Sequence, residues 1–242
     1  EENTLIEQLQ KKISKLVNKR LDVDPFLVLA LGAYRPLNVF TWAQELSRKE
    51  WAKDIKDVIQ QQILDPQKEK LLRPEIPMLF AIRNTVSQTV RDQYEKNPYP
   101  RWIKTGLLAR DRPISVILRS APFRFDLNDY EAPVSPEILV AGCGTGEHSL
   151  HTASRFSNAR VLAIDLSLNS LSYALRKTTE LGISNIEYAQ GDIMELGKLD
   201  RQFDLIESVG VLHHLGDPIE GWQILVDLLR PGGLMRIGLY SE

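Results

Sequence analysis

The 242-residue chain is 43% apolar and 26% charged with a net charge of −2, the balance of an ordinary soluble globular protein. That charge offers no basic field for nucleic acid or an anionic membrane, and no apolar run approaches the roughly 20 residues of a membrane span. A lone cysteine, Cys143, excludes an internal disulfide and fits a reducing, cytoplasmic setting.

In chain order, residues 3–19 set Leu5, Ile6, Leu9, Ile13, Leu16 and Val17 on one helical stripe. Asp24-Pro25 reads as an N-cap with proline at the first helical position, opening a helix that Gly32 and Arg35-Pro36 stop. A third pattern carries Leu37, Phe40, Trp42, Ala43 and Leu46. A fourth runs from Trp51 through Ile55, Val58, Ile59 and Ile63 to end near Asp65-Pro66. Residues 1–64 are therefore expected to form a small helical domain, able to bind the substrate or another subunit.

Residues 65–136 read as a connector and lid, with Pro66, Pro74 and Pro77 early on and a further helix around Val86, Val90 and Tyr94 capped by Thr85 or Ser87. That helix leads into Tyr94-Glu-Lys-Asn-Pro-Tyr-Pro-Arg-Trp102, where Pro98 and Pro100 bias their predecessors toward extended backbone. This stiff stretch is either a connector whose rings pack on the next domain or a wall beside a ligand. A short apolar patch, Ile114 to Leu118, suits helix or strand.

From residue 137 the pattern alternates. Strands are expected at 138–141, 161–164, 186–189, 203–208 and 234–239, with helices at 147–156, 168–181 and 218–229 and a helix stop at Arg230-Pro-Gly-Gly233. The expected fold is α/β, a doubly wound and mostly parallel sheet behind an N-terminal helical domain. Because the chain opens on Glu1 and ends on Glu242 straight after a strand-like run, it reads as a piece of something longer.

The chemistry gathers at the strand ends. Ile138 to Ala141 empties into Gly142, Gly144 and Gly146, a turn that lets a ligand approach bare backbone. Asp165 ends the second strand about 20 residues on, where a carboxylate can take ribose hydroxyls. Gly191-Asp192-Ile193 ends the third, offering a partner for the adenine amine and an apolar face. A carboxylate at Glu147 would repel a pyrophosphate, and no lysine follows the glycines, so dinucleotides and triphosphates are disfavoured. An adenosine without phosphate suits the turn, and S-adenosylmethionine is such a ligand.

Ala141-Gly-Cys-Gly-Thr-Gly146, Asp165, Gly191-Asp192, Phe203-Asp-Leu-Ile206, Gly210-Val-Leu-His-His214 and Leu229-Arg-Pro-Gly-Gly-Leu234 together resemble a class I S-adenosylmethionine-dependent methyltransferase through its fifth strand. The 90–102 segment resembles a narrower bacterial group, often linked to tetratricopeptide repeats, some of whose relatives methylate protein lysines. The resemblance implies cofactor contacts at Ala141, Gly142, Cys143, Gly144, Thr145, Gly146, Asp165, Leu166, Gly191, Asp192, Ile193, Ser208 and Val209, with S-adenosylhomocysteine as product. It usually brings an acidic residue two places before the first glycine; here that place is Val140. The methionine ammonium then needs backbone carbonyls near Ala141 and Ser208 or a side chain from 94–102, and Arg101 is the candidate for its carboxylate. Tyr94, Tyr99 and Trp102 would line the transfer channel, with Glu207 and His213 as candidate bases beside Tyr94.

Other readings carry less. Cys143 between two glycines is there because it is small, and His148, His151, His213 and His214 are not expected to hold a metal. The acceptor is a protein side chain such as lysine or a small molecule; a non-catalytic binding module is the third reading.

Overall fold

The computed structural model describes residues 2–108, 110–120, 124, 126 and 131–240. The chain divides into two compact units, Glu1–Leu71 and Leu72–Glu242.

The first unit is helical: α1 (Glu2–Asn18), α2 (Pro25–Tyr34), α3 (Ala43–Ser47), α4 (Lys53–Ile59) and α5 (Asp65–Leu72), with a 3-10 turn at Leu37–Val39. Ile13, Val28, Leu31, Leu37, Leu46 and Ile63 fill its core, while Leu5 stays exposed at the edge of the α1 stripe. Asp24 caps α2, its carboxylate accepting from Phe26 N at 2.9 Å, and the helix continues through Gly32 to Tyr34. The expected stop at Asp65-Pro66 does not occur. α4 passes through a π turn, Gln60–Leu64, directly into α5. A proline clashes with the carbonyl four residues back, and a widened turn gives its ring room. The unit therefore ends beyond residue 64, at Leu71.

In the second unit, Arg73–Glu75 forms a 3-10 turn, and Pro77–Leu79 lies alongside Gln190, with Gln190 N donating to Pro77 O at 2.8 Å and Leu79 N to Gln190 O at 2.9 Å. The stretch expected to be a plain connector thus adds to the sheet edge. α6 (Thr85–Lys96) is capped by Asn84, whose side chain accepts from Val86 N and Ser87 N; Thr85 is already helical and cannot serve. α7 (Ile114–Arg119) resolves the ambiguous apolar patch as helix, with Ile114 and Leu118 buried.

The sheet comprises β1 (Glu137–Ala141), β2 (Arg160–Asp165), β3 (Ile186–Gln190), β4 (Phe203–Val209) and β5 (Leu229–Gly238), all parallel, in the order β3-β2-β1-β4-β5. Helices α8 (Glu147–Arg155), α9 (Leu168–Glu180) and α10 (Pro218–Asp227) make the crossovers. Ile138, Val140, Val161 and Ala163 pack on α7, α8 and α9, while Leu139, Ala141, Leu162 and Ile164 pack with Leu196, Leu212 and Leu225 on the other face. Both faces are covered, which is why the strands read as continuous apolar runs. β5 starts at Leu229 rather than Leu234, because Arg230–Gly233 enters the strand through a register irregularity opposite Phe203–Leu205.

Candidate functional site

The strand order reverses beside β1, and the crevice at that point is where open α/β sheets bind ligands. Gly142 (φ +81°) and Gly146 (φ +86°) are left-handed. A Cβ would stand 2.3 Å from Val211 at the first and 2.5 Å from Ala174 at the second, so only glycine fits either place. Gly142 N and Cys143 N both donate to Ile164 O at 2.9 Å, tying the turn to β2. Asp165 holds the turn from its other side, accepting from Gly144 N at 2.8 Å and from Ser167 N at 2.9 Å. Burial raises its pKa, and these two donors act against that rise.

A cavity of about 490 Å³ opens over these strand ends. Gly142, Cys143, Gly144, Thr145, Asp165, Leu166, Gly191, Asp192, Ile193 and Val209 line it, as do Tyr94 and Tyr99. Asp192 Oδ1 accepts from Met194 N at 3.0 Å, but its Oδ2 is buried with no partner. Buried carboxylate oxygens are ordinarily hydrogen-bonded, so this one is an acceptor open to a donor.

The 94–103 segment is strapped across the turn. Glu95 receives Leu168 N at 2.6 Å and Asn169 N at 3.1 Å, so it caps the start of α9 from another helix. Thr145 Oγ1 donates to Pro100 O at 2.5 Å, and the Trp102 indole donates to Thr145 O at 3.1 Å. Tyr173 donates its hydroxyl to Trp102 O and packs edge-on against the indole, while Lys177 donates to Ile103 O at 3.0 Å. The segment is both connector and wall: Trp102 packs, Tyr94, Tyr99 and Pro100 face the cavity. Burial and then the Asp165 charge raise the Tyr94 pKa, favouring the neutral phenol.

Several expected site residues lie elsewhere. Arg101 and Trp102 do not line the cavity; the Arg101 guanidinium sits 4.8 Å over the Tyr173 ring. Ala141, Gly146 and Ser208 shape the floor from behind without reaching the cavity. Glu207 is also behind the wall, 1% exposed. Thr152 donates to it, Arg236 Nη1 reaches it at 3.3 Å, and His148 Nε2 stands 3.2 Å away without hydrogen-bond alignment. Burial alone would raise its pKa, but His148, Thr152 and Arg236 together pull it down to about 2, too low for a general base near neutral pH. His213 packs tilted against His214 and edge-on against Tyr240, with ring centroids at 4.1 and 5.0 Å, and it is His214 that lines the cavity. Burial, then the nearby His213, lowers the His214 pKa. The Cys143 thiol is pushed well up by burial, leaving it unreactive. Among the described residues no three His, Cys, Asp or Glu side chains gather as a metal site.

Sequence reasoning missed Ser87, Val90, Glu147, His148, Arg236 and Tyr240 as cavity residues. Ser87 and Val90 share a helix face with Tyr94, so a 3.6-residue period could have found them. Arg236 and Tyr240 needed the strand register. Among the described residues no helix is long and apolar enough to cross a membrane.

Residues 138–233 match the family model described as a methyltransferase domain. An uncharacterized protein of Synechococcus sp., syc1184_c, is 39% identical over 108 residues, 44% of this chain and 26% of that protein. Trans-aconitate 2-methyltransferase of Deinococcus radiodurans is 37% identical over 121 residues, 49% of this chain and 43% of the relative. The chain thus spans less than half the length of these two curated relatives. The solved structure of PKMT2 from Rickettsia typhi in complex with AdoHcy is 24% identical over 43% of this chain and 21% of that one, with a TM-score of 0.40. Over residues 138–233, which hold the glycine turn and the strand ends, the chain is thus similar to a methyltransferase domain.

Proposed function

We propose that this protein transfers a methyl group from S-adenosylmethionine to an acceptor, first of all a protein side chain such as lysine. The observation that carries the reading is the pair of strand-end carboxylates in one cavity. Asp165 is half-buried beside the glycine turn, and Asp192 keeps one buried oxygen unpaired, which we assign to the adenine amine. Gly142, Gly144 and Ile193 line the same cavity, where the adenosine, with no phosphate, would lie. When bound, S-adenosylmethionine supplies an electrophilic methyl group on a sulfonium.

The chain's own part is placement. Tyr94, Tyr99 and Tyr240 line the cavity, and aromatic rings there favour and orient a cation. An amine arriving charged must lose a proton, and His214, held toward its neutral form at the cavity wall, is the group to accept it. Tyr99 and Tyr240 are 74% and 78% exposed, so the mouth is open to a side chain presented from outside. The likeness to trans-aconitate 2-methyltransferase supports a small-molecule acceptor as the second reading.

Calorimetric titration with S-adenosylhomocysteine tests the cofactor, and absence of binding refutes the proposal. A labelled-methyl assay against lysate proteins and, separately, lysate metabolites then separates the acceptor classes. Binding without transfer in either leaves a non-catalytic module.

A further inference from the structure

Four charged side chains of fixed sign line the cavity: Glu147, Asp165, Asp192 and Arg236. Three are acidic, and Arg236 is the only arginine or lysine there among the described residues. A ligand that brings a carboxylate into this cavity is repelled by three walls and welcomed by one.

The strand register explains how that arginine is held. Val140 on β1 pairs with Glu207 on β4, and Glu207 pairs with Arg236 on β5, so the three form one row across the sheet. The row carries no acid at Val140; its carboxylate stands one strand over, at Glu207, buried behind the wall. From there it touches Arg236 through a single nitrogen at 3.3 Å, while the Arg236 side chain remains 48% exposed. The guanidinium therefore keeps donors facing the cavity, on a fork fixed by the buried acid. His148, beside Glu207, lines the same end.

We infer that Arg236, oriented by Glu207, is the subsite for the amino-acid carboxylate of S-adenosylmethionine. This rests on the reading of the cavity as the S-adenosylmethionine site. Adenosine held at the ends of β2 and β3 leaves the other end of an extended ligand pointing toward β4 and β5. At about 4.8 Å per strand, β5 lies roughly 19 Å from β3, so an arginine reaching back from β5 meets the far end of the ligand. Arg101, the candidate from sequence, is on the Tyr173 ring instead. Glu207 is a positioning residue in this scheme and does not touch the ligand.

The test compares S-adenosylhomocysteine with 5′-methylthioadenosine, which has the same nucleoside and sulfur but no amino acid, by calorimetry. Arg236→Gln weakens S-adenosylhomocysteine about tenfold to a hundredfold, the range of a charge-assisted hydrogen bond, and leaves 5′-methylthioadenosine within about twofold. Arg236→Lys, with charge but no fork, falls between wild type and Arg236→Gln. Glu207→Gln shifts the ratio of the two affinities in the same direction by a smaller factor. An unchanged ratio in Arg236→Gln overturns the subsite, whether both affinities hold or both fall together, and leaves the cofactor reading standing if the wild type binds. A wild type that binds neither ligand overturns both.

Discussion

Replacing Glu207 by glutamine removes a carboxylate that is 1% exposed and joined to Thr152, His148 and Arg236. Its pKa falls from the ordinary 4.5 to about 2 in the folded state. At about 1.4 kcal/mol per tenfold change in proton affinity, that difference corresponds to on the order of 3 kcal/mol of folding stability. Because the folded pKa is the lower one, the contribution is fully present above about pH 4.5 and is lost as pH falls toward about 2. Glu207→Gln should therefore lower stability by up to about 3 kcal/mol at pH 7 and flatten the acid limb between those values. In a unit of this size that amounts to roughly 6–12 °C in Tm. Urea titrations at fixed pH, with unfolding of the sheet followed by pulsed hydrogen exchange of the β4 peptide, measure it without interference from the helical unit. Equal stability of variant and wild type at pH 7, or parallel acid limbs, refutes the account of Glu207 as a paired buried anion.

Asp192→Asn should weaken S-adenosylhomocysteine about tenfold and erase the preference over its 6-oxo analogue, because the unpaired Oδ2 accepts only as a carboxylate; calorimetry with both ligands checks this. Gly146→Ala places a methyl 2.5 Å from Ala174 Cβ at φ +86°, and a loss above about 2 kcal/mol in urea unfolding is expected from strain and overpacking together. Glu95→Ala removes the acceptor of Leu168 N and Asn169 N. With Ser167 still capping Ser170 N, a loss of about 1 kcal/mol is expected from the two α9 amides left without an acceptor, along with faster exchange of the 94–103 backbone in hydrogen-exchange mass spectrometry.

The α/β alternation was legible because both sheet faces are covered, so each strand appears as an unbroken apolar run ended by a polar or glycine residue. The glycine turn, Asp165 and Asp192 could be placed because each closes a strand, and strand ends of a parallel sheet share one edge. Less was visible where the contacts are long-range. Asn84 rather than Thr85 or Ser87 caps α6, a matter of which residue is still extended. Pro66 does not end its helix, because a π turn makes room for it. Nothing local shows that Trp102 turns inward while Tyr99 turns to the cavity; both are aromatic and both follow proline-rich backbone. His213 and His214 are neighbours of the same type, and only the 3-10 turn at Leu212–His214 decides which ring faces the cavity.

From the order of residues alone came the sheet, its helical crossovers and the strand ends that line the cavity, since these depend on local periodicity and on one residue at the end of each run. Only the tertiary structure decided how the far end of the cavity is charged. Val140, Glu207 and Arg236 are scattered along the chain, and their meeting in one row depends on strand register, which no local pattern encodes.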